Sequence, residues 1–73
     1  MGVEKIFIKV HAHVTYTELE SALKPLPLTL DYWTDDKGIG LFAVPTGQQQ
    51  SLIDEVRIIP GVKYCEPQIV HDH

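Results

Sequence analysis

The chain has 73 residues, 44% of them hydrophobic, and carries a net charge of −4. That length holds one small domain, which buries only roughly 60% of the surface its unfolded chain exposes, so a partner or self-association adds to a thin margin of stability. The composition excludes disorder, the single Cys65 excludes an internal disulfide, and the scattered cations Lys5, Lys9, Lys24, Lys37, Arg57 and Lys63 make a poor footing for a phosphate backbone.

No apolar run approaches membrane-spanning length, and Met1-Gly2-Val3-Glu4 lacks the basic and apolar stretches of a secretion signal. The expectation is a soluble, cytoplasmic protein that binds neither nucleic acid nor membrane.

Residues 4–14 alternate, with Ile6, Ile8, Val10, Ala12 and Val14 on one side and Lys5, Phe7, Lys9, His11 and His13 on the other. This predicts a strand with one buried face, on whose polar side Phe7 stands out. Thr15 with Glu18, or Thr17 with Glu20, has capping-box spacing, and Tyr16, Leu19, Ala22 and Leu23 repeat at helical intervals until Pro25. Pro25 and Pro27 lead into Leu28–Trp33, expected at a sheet edge because proline cannot serve in a central strand. Thr34–Gly38 reads as a turn and Ile39–Val44 as the returning strand of a hairpin.

Thr46 with Gln49 again matches a capping box, and Leu52, Ile53, Val56 and Ile59 trace an apolar stripe up to Pro60. Pro60-Gly61 stops that helix, because Pro60 has no amide hydrogen and Gly61 takes positive φ at no steric cost. A strand from Val62 to Glu66 follows, and then a polar tail. The order β-α-β-β-α-β predicts an α+β fold, a ferredoxin-like sandwich with a four-stranded antiparallel sheet and two helices on one face. Residues 1–68 form the domain and residues 69–73 an extended tail.

Pro60-Gly-Val-Lys-Tyr-Cys-Glu-Pro-Gln68 resembles the last strand of the propeptide and inhibitor family of subtilisin-like serine proteases, commonly Pro-x-Val-x-Tyr-Val-Glu-x-Asp, and Lys5-Ile-Phe-Ile-Lys-Val10 is similar to that family's opening strand. The resemblance implies a protease-binding protein, an inhibitor or a folding chaperone. Its sheet would pack on two parallel helices of the protease, and Glu66 would cap one of them. Gln68 stands where the second, acidic cap should be. The tail, Ile69 followed by Val70, His71, Asp72 and His73, would lie in the substrate cleft like a cleaved product, with Val70 in the apolar fourth pocket. Here it is about one residue shorter than the family spacing, with Asp72 next to the terminal residue.

Lys37-Gly-Ile-Gly-Leu-Phe-Ala-Val44 imitates the third-strand signature of RNA-recognition domains, but Ile39 and Leu41 replace the stacking rings. With Phe42 and Val44 toward the helices, Ile39 and Leu41 join Phe7 on the open face of the sheet in an apolar patch suited to a protein partner, with Tyr64 among the binding residues. The alternative reading is a regulatory or structural module that pairs its open faces as a homodimer. His11-x-His13 and His71-x-His73 are two separate pairs, about 25 Å apart in this fold, so no metal or other cofactor is expected. Ser21, Ser51 and Cys65 are the candidate nucleophiles; none has a nearby partner histidine in the predicted fold, so no enzymatic activity is expected.

Overall fold

Ile6, Ile8 and Val10 are sealed from solvent while Lys5, Phe7 and Lys9 between them are half-buried, so the two-residue period of the first strand separates a covered face from an open one. The computed structural model describes residues 4–68. Their elements are β1 (Glu4–Val10), α1 (Tyr16–Leu23), β2 (Thr29–Thr34), β3 (Ile39–Val44), α2 (Gln49–Arg57) and β4 (Val62–Pro67). The strands make one antiparallel sheet in the order β2-β3-β1-β4, and the fold is an α+β ferredoxin-like βαββαβ sandwich. Both helices supply the same core: Leu19 and Leu23 from α1, and Leu52, Ile53 and Val56 from α2, pack with Ile6, Ile8, Val10, Phe42, Val44 and Cys65. No helix among the described residues is long and apolar enough to cross a membrane.

The hairpin strand Ile39–Val44 falls where the sequence places it, and β2 is an edge strand bonded to β3 alone. The first strand does not run to Val14. It ends at Val10 because its neighbours run out there: Lys9 pairs with Ile39, Val10 with Val62, and the Val10 and His11 amides donate to the Gly38 and Gly61 carbonyls. His11, Ala12 and His13 are exposed, and the Val14 amide closes a turn onto the His11 carbonyl.

Of the two capping spacings ahead of α1, Thr15 with Glu18 is the one used; the Thr15 hydroxyl accepts the Glu18 amide at 3.3 Å. The spacing of Thr46 and Gln49 is not used. Gln48 occupies the N-cap of α2 and makes no side-chain cap. Gly47, at φ 87°, turns the chain away and gives its amide to the Glu4 carboxylate, while Gln49 reaches across and donates from Nε2 to the Lys5 carbonyl at 2.9 Å.

Each outer strand carries one irregularity. On β2 the register shifts between Leu30 and Tyr32, leaving Asp31 as the extra residue; on β4 it shifts opposite Lys9 and Val10, leaving Lys63. A charged residue at a bulge blunts an edge against pairing with another chain.

Gly40 lies opposite Ile8 on the covered face, beneath the Trp33 indole. A Cβ there would meet Trp33 Cε3 at 2.6 Å and Phe42 Cε1 at 2.9 Å, and the indole is backed by the Tyr16 ring at 5.2 Å. Gly40→Ala is therefore predicted to destabilise the domain by about 1–3 kcal/mol in denaturant unfolding, with a shift in Trp33 fluorescence.

Candidate functional site

Strand register lays out the uncovered face in rows. The middle row across the sheet is Tyr32, Leu41, Phe7 and Glu66, and the row toward the hairpin turn is Thr34, Ile39, Lys9 and Tyr64. In the remaining row Ala43 lies between Thr29 and Lys5, and the bulged Asp31 meets the Lys5 ammonium at 2.8 Å.

Packing within the face is uneven. Leu41, central on β3, is only 4% exposed although no helix covers it, because Phe7 and Tyr32 flank it across the ladder. Phe7 and Ile39 are half-buried, whereas Tyr32 and Tyr64 are 50% and 36% exposed. The result is an apolar strip with a tyrosine on each outer strand.

Glu66 sits on β4 opposite Phe7, exposed to solvent. The only salt bridge among the described residues joins Lys5 to Asp31, so the Glu66 carboxylate has no ionic partner there. The Gln68 amide donates to the Lys5 carbonyl at 2.9 Å and carries the ladder one residue past Pro67. Alternation from Glu66 then puts Gln68 on the open face too, about 7 Å further along. The site residues Phe7, Ile39, Leu41, Tyr64, Glu66 and Gln68 thus share one surface, while Ile69, Val70, His71, Asp72 and His73 lie outside the described residues.

No family model, curated protein or solved structure matches this chain.

Two features of the face are hidden in the sequence. Tyr32 follows the bulged Asp31, so no simple alternation along Leu28–Trp33 announces its side, and the ion pair of Lys5 with Asp31 joins residues 26 apart. On β3, Ile39 and Leu41 bring aliphatic groups to the face where rings would be needed to stack bases.

The remaining candidates lie away from it. His11 and His13 are exposed and stack with ring centroids 6.0 Å apart. Among the described residues no group of three or more His, Cys, Asp or Glu side chains is placed to hold a metal ion. A cleft of about 490 Å³ lies between α1 and β2, lined by Leu23, Leu26, Leu28, Leu30 and Phe42. Ser21 is exposed on α1, and Ser51 on α2 donates its hydroxyl to the Gln48 carbonyl.

Cys65 is fully buried on the covered face opposite Ile8. Burial pushes its thiol from the ordinary 9.0 up to about 11; the nearby Arg57 opposes that rise and Glu66 adds to it. Between these two values the folded chain keeps a proton that the unfolded chain releases, so this residue's contribution to stability falls as pH rises through about 9 to 11. Two measurements check this. Cys65 is expected to resist a thiol reagent at pH 8 until the chain is unfolded, and Cys65→Val to lessen the loss of stability across that alkaline window relative to the parent chain.

Proposed function

We propose that the domain binds a subtilisin-like serine protease, docking the open sheet face on the enzyme's surface and laying residues 69–73 in the substrate cleft, as a product-like inhibitor or folding chaperone. The observation that carries this reading is the placement of Glu66: an exposed carboxylate at the margin of the Phe7–Leu41 strip, unpaired among the described residues. A carboxylate so placed suits the N-terminus of a helix, where unbonded amides and the positive end of the dipole receive it.

Gln68, on the same side, can accept the amides of a second helix without bringing charge, which makes the second contact the weaker one. Gln68 is still bonded to β1 at the sheet edge, so the last described residue continues an extended segment, the form in which a peptide adds to the rim of a cleft. The role is binding, with the inward-facing Cys65 held away from solvent. One free thiol in such a domain fits a reducing, cytoplasmic setting.

Titration of the full chain into a subtilisin assay tests the reading. The expected result is saturable inhibition that is lost when Val70–His73 are removed. Glu66→Ala is expected to weaken it about fivefold, the equivalent of about 1 kcal/mol for a lost cap, and Gln68→Asp to strengthen it severalfold. Protease activity that stays unchanged at every concentration contradicts the proposal.

A further inference from the structure

Among the described residues, cross-strand register places Lys5, Lys9 and Glu66 on the open face and the β2 bulge adds Asp31, while Lys63 at the β4 bulge borders the face beside Lys9 and Tyr64. Lys5 and Asp31 neutralise each other at 2.8 Å. Lys9 and Glu66 have no ionic partner among the described residues; Lys9 reaches only the Lys37 carbonyl. They sit on neighbouring strands, Glu66 opposite Phe7 and Lys9 opposite Tyr64, which makes them one row apart.

We propose that this face also pairs with the same face of a second copy of the chain, through a two-fold axis that crosses the Phe7–Leu41 pair and bisects the line from Lys9 to Glu66. With strands about 4.8 Å apart and rows about 6.8 Å apart, one axis satisfies both conditions. It sets Lys9 of each copy over Glu66 of the other. It also returns Phe7 and Leu41 close to their own counterparts and lays the exposed Tyr32 over Ala43, a small side chain. The strands of the two sheets then cross at about 70°, nearer to the orthogonal than to the aligned of the two arrangements in which sheets pack face to face. Such an interface is isologous, as a two-fold requires, and the Lys9–Glu66 contact is made twice, once from each copy.

Edge-to-edge pairing competes poorly, since both edges carry a charged bulge residue, Asp31 on β2 and Lys63 on β4. The area is sufficient for a weak dimer. A small specific interface removes about 600 Å² from each partner, roughly an eighth of the 5015 Å² surface. Self-association rests on the charge pattern of the face alone. Its regulatory consequence, that the dimer withholds the face from a protease, rests on the function proposed above.

Sedimentation velocity on the full chain at about 5–500 μM, with no protease present, tests the pairing. The expected result is a monomer–dimer equilibrium. Lys9→Glu and Glu66→Lys are each expected to weaken it at least about tenfold, by setting like charges opposite one another. Mixing the two single variants is expected to restore association to within about threefold of the parent, because each hybrid pair again matches opposite charges at both contacts. Circular dichroism checks that the variants are folded; if either is not, Lys9→Gln and Glu66→Gln replace them, each expected to weaken the dimer severalfold with no rescue on mixing. A parent chain that stays monomeric throughout, charge reversals without effect, or a mixture no better than its components overturns the proposal. Because the assay contains no enzyme, its failure leaves the protease reading standing, and failure of protease inhibition leaves the dimer standing.

Discussion

Two helices of eight and nine residues can cover one face of this sheet and no more. They are about 12 and 14 Å long, and each lies over a sheet whose four strands span about 14 Å from first axis to last. Everything else follows from that limit. Ile6, Ile8 and Val10 of β1 meet the helices and form the core with Phe42, Val44 and Cys65, and Lys5, Phe7 and Lys9 are left on a face that nothing in the described chain covers. A one-residue slip of β1 would bury Lys5 and Lys9 and expose Ile6 and Ile8, so burial itself holds the register that composes the open face.

Much of this organisation is legible in the residues, because its causes are local. Alternation in Ile6–Val10, the apolar stripe of Leu52, Ile53 and Val56, and the turn residues Asp35 to Gly38 each identify an element without reference to the rest of the chain. What escapes a sequence reading depends on neighbours. The alternation persists through Val14, yet β1 stops at Val10 because β3 and β4 supply no further partners. The Thr46–Gln49 spacing looks like a cap, but Gly47 gives its amide to Glu4 and Gln49 is drawn to the Lys5 carbonyl.

The face shows the same division. Parity places Phe7, Ile39 and Leu41 together, since a two-residue period needs only one fixed point. It does not foresee that Leu41 is enclosed by its cross-strand neighbours, nor that a bulge at Asp31 brings Tyr32 alongside it. The open face is consequently less an even apolar patch of Phe7, Ile39 and Leu41 than an aromatic rim around a filled centre. Aromatic side chains of this kind carry much of the energy in protein interfaces. The charges divide as well: Lys5 and Asp31 cancel, while Glu66 and Lys9 have no ionic partner among the described residues.

Side-chain NMR of the labelled domain with a catalytically inactive subtilisin-like protease tests most directly whether the open face is the recognition surface. The predicted result is that Phe7, Ile39, Leu41, Tyr32 and Tyr64 shift on addition of the enzyme while Leu19, Leu52 and Val56 stay in place. Shifts concentrated on α1 and α2, with the five open-face side chains unmoved, would contradict it.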